Sequence, residues 1–184
     1  MWGTVPVKLV VLRLGHRKER DKRATTHVCL AARALGANGV VLSGENDPKI
    51  VDGVRKVVQN WGGDFRVEYR MDWKKVLKRA KADGFRIVHL TMYGERLQDV
   101  VGKIRRKRKL MVVVGSEKVP GIVYSLADYN VAVSNQPHSE IAALAVFLHD
   151  FFEGKELGKR FRNAKIAVFP QERGKKVMRN KTMG

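Results

Sequence analysis

The chain has one cysteine, Cys29, in 184 residues, so an internal disulfide is impossible and a cysteine-rich zinc or iron–sulfur site is excluded by arithmetic. Its longest uninterrupted run of aliphatic and aromatic residues, Ile141 to Leu148, falls far below the ~20 that a membrane-spanning helix needs. There is no Gly-x-Gly-x-x-Gly after a strand, no Gly-x-x-x-x-Gly-Lys-Ser/Thr and no His-Glu-x-x-His, which removes support for ordinary nucleotide hydrolysis and zinc proteolysis. The five histidines, His16, His27, His89, His138 and His149, show no close ligand spacing; each reads as polar surface or hydrogen-bonded scaffold, and no metal is expected. Residues 1–6 lack the basic and apolar regions of a signal peptide. Together with the single thiol, this fits a reducing cytoplasm. No repeat, low-complexity tract or proline-rich linker divides the chain. A single domain is expected over residues 1–172, followed by a basic tail at 173–184.

Acids are also few. Against 37 Lys and Arg stand 18 Asp and Glu, a net charge of +19 with a sequence pI near 10.4, so polyanions should be attracted. Nucleic acid is the leading partner. An anionic membrane surface comes second, because no basic amphipathic terminal helix is present to lie on one.

What is abundant is alternation. Val7–Leu14 is a β-branched and aliphatic run that reads as a strand. The stretch from Arg13 to Arg23 then reads as a basic loop, leading to Thr25 and Thr26 as helix caps. Val28, Ala31, Ala32 and Leu35 give the helix an apolar face, and Gly36 stops it. Val40–Leu42 is a second strand, after which Asp47-Pro48 supplies a capping acceptor and a first-turn proline for a helix through Ile50, Val54, Val57, Val58 and Trp61. Phe65–Tyr69 alternates as a half-exposed strand, and Asp72 opens a helix through Leu77 and Ala80. Phe85–Thr91 is a strand, Leu97 to Ile104 marks a helix with a cationic end at residues 103–109, and residues 110–114 form a continuous apolar run suited to a strand covered on both faces. A short helix at 119–127, a short strand at 130–133 and an apolar helix at 137–152 complete the pattern. The order of elements predicts an α/β fold, a mostly parallel sheet flanked by helices. The last helix is apolar on most sides, which suggests packing on a second subunit as well as on its own sheet.

Two connections carry the chemistry. Gly115-Ser116-Glu117-Lys118-Val119-Pro120 and Ser134-Asn135-Gln136-Pro137-His138-Ser139-Glu140 each follow a strand and precede a helix. At the carboxyl ends of parallel strands, free backbone N–H groups at helix starts favour anionic or hydrogen-bond-accepting ligands. The charge runs at 103–109 and beyond Arg173 carry a surplus over nearby acids that argues for RNA. With only Trp2, Trp61, Trp73 and scattered Tyr and Phe beside them, no aromatic platform for single-stranded bases is inferred, and recognition by RNA shape and backbone fits better.

The stretch from Met111 to Pro120, with Ala127-Asp128 and the run from Asn130 to Val146, resembles the C-terminal motifs of the SPOUT methyltransferases. Residues 12–17, 20–23, 25–28, 32–36 and 89–94 are similar to the archaeal tRNA (cytidine-56) ribose 2′-O-methyltransferase family. The resemblance spans about Val10 to Gly174. It implies a C-terminal trefoil knot, a homodimer, a tRNA substrate and S-adenosyl-L-methionine as cofactor. By motif match, the cofactor contacts fall on Leu90, on Gly115, Ser116, Glu117, Lys118 and Val119, and on Val133, Ser134, Asn135, Gln136, Pro137, His138, Ser139 and Glu140. Related enzymes use an arginine from the N-terminal motif, and the matching region here contains Arg13, Arg17, Arg20 and Arg23; the resemblance points first to Arg23, placed at a helix start, and then to Arg17 as catalytic residues. Neutralising phosphate is the alternative role for each, since a guanidinium is a poor base. Other readings are a different tRNA or rRNA ribose, or a basic RNA-binding protein that keeps the fold without catalysis.

Overall fold

The computed structural model describes residues 7–115 and 119–179. Six parallel strands form one sheet: β1 (Lys8–His16), β2 (Gly39–Gly44), β3 (Arg66–Tyr69), β4 (Arg86–Arg96), β5 (Lys109–Val114) and β6 (Tyr129–Ala132), in the spatial order β3-β2-β1-β5-β4-β6. The helices are α1 (Lys18–Ala34), α2 (Pro48–Trp61), α3 (Trp73–Ala82), α4 (Leu97–Arg105), α5 (Ile122–Leu126) and α6 (Glu140–Phe152). The expected α/β architecture with a parallel sheet is present. Among the described residues, no helix is long and apolar enough to cross a membrane.

Strand period two explains the two-sided core. Leu9 and Val11 of β1, with Leu110, Val112 and Val114 of β5, point to the face covered by α1, α2, α4 and α6. Leu12 and Leu14, with Met111 and Val113, point to the face covered by α3 and α5 through Leu77, Ala80 and Val123. The register places Val11 beside Val112 and Leu12 beside Val113, so aliphatic rows run across the sheet centre. Helix α6 buries Leu144, Phe147, Leu148 and Phe151 against this core and packs beside α1 and α4. Its own monomer therefore covers most of its apolar surface, with Val146 left 48% exposed.

Several boundaries differ from the sequence reading. Thr25 and Thr26 do not cap α1, which starts seven residues earlier than Thr25, at Lys18. Asp21 serves that end by accepting from the Arg17 backbone N–H at 3.1 Å, while Thr25 binds His16 and Thr26 donates back to the Lys22 carbonyl. The basic stretch is thus the end of β1, to His16, and the start of α1, from Lys18, rather than loop, and Arg23 lies in the second turn of the helix instead of at its start. Strand β4 continues past Thr91 because it pairs with β6 twice, through Leu90 and again through Glu95, looping out the residues between. Where that excursion returns to β6, a Cβ on Gly94 would sit 2.5 Å from backbone atoms of Asn130 and Val131, so only glycine fits. Helix α6 begins at Glu140, where Ser139 caps it, rather than at Pro137. Part of the expected tail, Lys176–Arg179, is strand β8, paired antiparallel with β7 (Ile166–Phe169). The segment leading into this hairpin is fastened to the ends of α2 and α1: Gly63 N–H, just past α2, donates to the Arg162 carbonyl at 2.8 Å, and Arg33 of α1 stacks 4.4 Å from the Phe161 ring.

Candidate active site

The carboxyl ends of β4 and β5 and the start of α6 enclose a cleft of about 570 Å³. Typical small-molecule sites span about 300–1,000 Å³, so the space suits a cofactor-sized ligand. One wall is β4 and its excursion, from His89 to Tyr93; a second is Val114, Gly115 and Val119; the third is Pro137, His138, Glu140 and Ala143 at the start of α6, with Tyr124 of α5 closing the side.

His89 forms part of the floor. Its ring is fully buried, Nδ1 lies 2.9 Å from Asn130 Oδ1, and Tyr124 meets it edge-on with centroids 4.7 Å apart. The Asn130 side-chain N–H donates to the Tyr124 carbonyl at 2.9 Å, which turns Asn130 Oδ1 toward the imidazole. Nδ1 therefore carries the proton, and Nε2 is left as a buried acceptor with no described partner. Burial lowers the His89 pKa and the Asn130 hydrogen bond only partly opposes this, so the ring stays neutral. Nε2 is thus an unpartnered buried acceptor on a residue that lines the cleft, of the kind that an amino or hydroxyl donor satisfies.

Arg13 approaches from β1. It is completely buried, and its guanidinium donates to Glu140 Oε1 at 3.0 Å across 127 residues of sequence. Desolvation pulls the Arg13 pKa down and Glu140 opposes it. The pair ties the end of β1 to the first turn of α6, where a carboxylate also suits the helix dipole. Ser139 accepts from the Ala142 N–H at 3.1 Å, and Asn135 donates to the Met92 carbonyl at 2.7 Å and more weakly to Gly94 at 3.4 Å. The Asn135 bonds pin the β6–α6 connection to the β4 excursion. His16, further along β1, is buried against Thr25 Oγ1 at 2.9 Å, and desolvation lowers its pKa despite Asp47.

Of the residues singled out in the sequence, Leu90, Gly115, Val119, Pro137, His138 and Glu140 line the cleft. Ser134, Asn135, Gln136 and Ser139 are exposed in the adjoining connection, and Val133 packs against the core. Ser134 is outside the left-handed region, which among described non-glycine residues holds only Glu153 and Asn163, so a side chain is tolerated there. Ser116, Glu117 and Lys118 lie outside the described residues. Arg17 and Arg23 do not line the cleft: Arg17 Nε donates to Asp21 at 3.2 Å, while Arg23 is exposed on α1. His89, Tyr124 and the Arg13–Glu140 link were not picked out as site features by sequence. A histidine inside the otherwise apolar run Ile87-Val88-His89-Leu90 is the signal that could have found the first.

A parallel sheet with this ligand cleft at its carboxyl ends has the fold of the SpoU-type RNA methyltransferases. A solved RNA 2′-O ribose methyltransferase superposes with a TM-score of 0.62 at 19% identity, over 82% of this chain and 58% of that one. The SpoU methyltransferase AviRb of Streptomyces viridochromogenes, determined in complex with AdoMet, superposes with a TM-score of 0.58 at 14% identity, over 81% of this chain and 58% of that one. More specifically, the profile of the family described as tRNA ribose 2′-O-methyltransferase, aTrm56, matches residues 61–178. The tRNA (cytidine(56)-2′-O)-methyltransferase of Methanopyrus kandleri is 55% identical over 172 residues, 94% of this chain and 97% of that one. The chain belongs to this tRNA ribose 2′-O-methyltransferase family.

Proposed function

We propose that this protein methylates the ribose 2′-hydroxyl of cytidine 56 in tRNA, using S-adenosyl-L-methionine held in the cleft between β4, β5 and α6. The observation that carries the reading is the coincidence of that cleft with six of the residues the family motif selects: Leu90, Gly115, Val119, Pro137, His138 and Glu140. Membership of the family supplies the substrate class, and the cofactor in the AviRb complex supports the choice of donor.

The residues present fit such a group. The buried Nε2 of His89 offers an acceptor to an amino or hydroxyl donor, the start of α6 offers backbone N–H groups, and Leu90, Val114 and Val119 offer apolar walls. When bound, the cofactor supplies an electrophilic methyl on a sulfonium centre. The chain's task is to orient it, exclude water and bring one ribose hydroxyl into line. The Arg13–Glu140 pair and the Asn135 hydrogen bonds hold the cleft walls in place for this. Among the described residues no group of three His, Cys, Asp or Glu side chains is placed to hold a metal.

In the same proposal the chain works as a homodimer, its C-terminal part threads as a trefoil knot, and the basic stretch beyond Arg173 meets RNA. Arg23 and then Arg17 serve the hydroxyl or its adjacent phosphate. Arg23 is exposed and no described side chain pairs with it, which suits a group waiting for a polyanion.

Incubation with unmodified tRNA and isotope-labelled donor, followed by mass-spectrometric nucleoside mapping, tests the reading. Label in 2′-O-methylcytidine at position 56 is expected; label on a base, or at another nucleotide, would overturn it.

A further inference from the structure

We propose that a second groove, beside the cofactor cleft, receives the target cytidine, with Trp73 as the surface on which its base stacks. The inference rests on the methyltransferase reading and extends it to a substrate subsite.

The location follows from topology. Strands β1 and β5 are neighbours, but β1 leads through α1 to β2 on one side and β5 leads through α5 to β6 on the other. Connections that diverge from adjacent carboxyl ends leave a crevice between them. A groove of about 260 Å³ lies there, lined by Leu14, Ser43, Met71 and Trp73, and it shares Gly115 and Val119 with the cofactor cleft. A nucleotide in this groove would be next to whatever occupies the cleft, with only that shared wall between them.

The lining has the chemistry of a base site. Trp73 is half-buried, anchored beside the core that Leu77 and Ala80 form, and Met71 is 77% exposed at the rim. Stacking on an aromatic face accepts any base, so selectivity needs a polar group. Ser43 is buried, and its hydroxyl donates to the Met71 carbonyl at 3.1 Å. Its lone pairs then serve only as acceptors, which suits the exocyclic amine of cytosine and disfavours the carbonyl uracil carries at the same position.

Charge identifies the occupant as nucleic acid. Helix α3 starts at Trp73 and exposes Lys74, Lys75, Lys78, Arg79 and Lys81, with Asp72 and Asp83 at its two ends. The pairs Lys75–Asp72 and Arg79–Asp83 are both 3.7 Å long and solvent-exposed, so they yield readily to phosphates. Lys74 Nζ lies over the Trp73 ring, 5.7 Å from its centroid, so a base stacking on that face turns the ammonium outward toward its own phosphate. A polyphosphate backbone following α3 would deliver its nucleotide to the groove. The scattered tryptophans of the sequence gave no sign of this, because the fold alone brings Trp73 to the strand ends.

The test compares the full-length wild type with Trp73→Ala, Trp73→Phe, Ser43→Ala and Met71→Glu. Methyl transfer is followed with tRNA carrying C or U at the target position, and S-adenosylhomocysteine affinity is measured by calorimetry. Trp73→Ala should lower kcat/KM for tRNA by about tenfold or more while Trp73→Phe keeps most of it, in line with base–aromatic stacking. Met71→Glu, at an exposed position that leaves the fold intact, should lower it as well. Ser43→Ala should narrow the preference for C over U. Affinity for S-adenosylhomocysteine should stay within twofold throughout. Unchanged tRNA kinetics in Trp73→Ala or Met71→Glu would refute the subsite, and so would equal losses in cofactor affinity and tRNA turnover. If Trp73→Ala does not fold, Met71→Glu decides. Should the wild type transfer no methyl to tRNA, the proposed function fails; the groove is then judged separately, by whether a cytidine-containing hairpin quenches wild-type tryptophan fluorescence more than that of Trp73→Phe.

Discussion

Glu140→Gln keeps the shape of the side chain and removes its charge, leaving the Arg13 guanidinium at 0% exposure without its carboxylate. Removing one member of a buried pair costs about 3–5 kcal/mol, because the remaining charge is uncompensated. Glu140 keeps 24% of its side chain in contact with solvent, so water can partly replace it and the lower end, about 3 kcal/mol, applies. For a chain of this size each kcal/mol moves Tm by about 2–4 °C, which gives a fall of about 6–12 °C in thermal unfolding followed by circular dichroism at neutral pH. The double variant Arg13→Met, Glu140→Gln removes both charges and should recover most of that loss. A Tm within about 2 °C of wild type for Glu140→Gln, or a double variant as unstable as the two single losses added together, would refute the view that this pair clamps β1 to α6.

Three further outcomes follow. His16 and His89 are buried and held neutral by desolvation, with pKa values below the ordinary value of about 6.5, so the unfolded chain binds more protons as pH falls. Their contribution is complete above about pH 6.5 and is lost on going below it; the urea midpoint should drop between pH 7 and pH 5.5, and a flat profile would contradict the burial argument. Burial pushes the Cys29 thiol up to about 12, and the side chain has no exposure, so iodoacetamide should label it only after unfolding. Labelling of the native protein at the rate of a free thiol would refute this. Gly94→Ala would place its Cβ 2.5 Å from the Asn130–Val131 backbone and should cost about 1–3 kcal/mol or more, read as a lower denaturation midpoint together with weaker S-adenosylhomocysteine binding; a variant matching wild type in both would show that the excursion adjusts freely.

Legibility followed the range of the interactions involved. Asp47 and Asp72 were identified as caps from neighbours two or three residues away, and both accept the expected backbone N–H groups, from Lys49 and Lys75. Thr25 failed as a cap because α1 starts at Lys18, which leaves Thr25 inside the helix with its hydroxyl against His16, a residue of β1. Arg13 looked like one cation of a basic loop; the strand extends to His16, and the alternation Leu12-Arg13-Leu14 was a faint sign that the arginine belongs to it. His89 read as surface or scaffold, and nothing local could reveal that Asn130, 41 residues on, would fix its tautomer.

By itself, the sequence determined the alternation of strands and helices, the two-faced apolar rows of β1 and β5 and the two connections able to meet a ligand, since these depend on periodicity and on residues within one turn of each other. Tertiary structure alone decided that β4, β5, α5 and α6 share a cleft, that Arg13 finds Glu140, and that Trp73 stands at the crevice beside Gly115. The reason is that parallel pairing aligns carboxyl ends by spatial order, and the order β3-β2-β1-β5-β4-β6 makes neighbours of segments far apart along the chain.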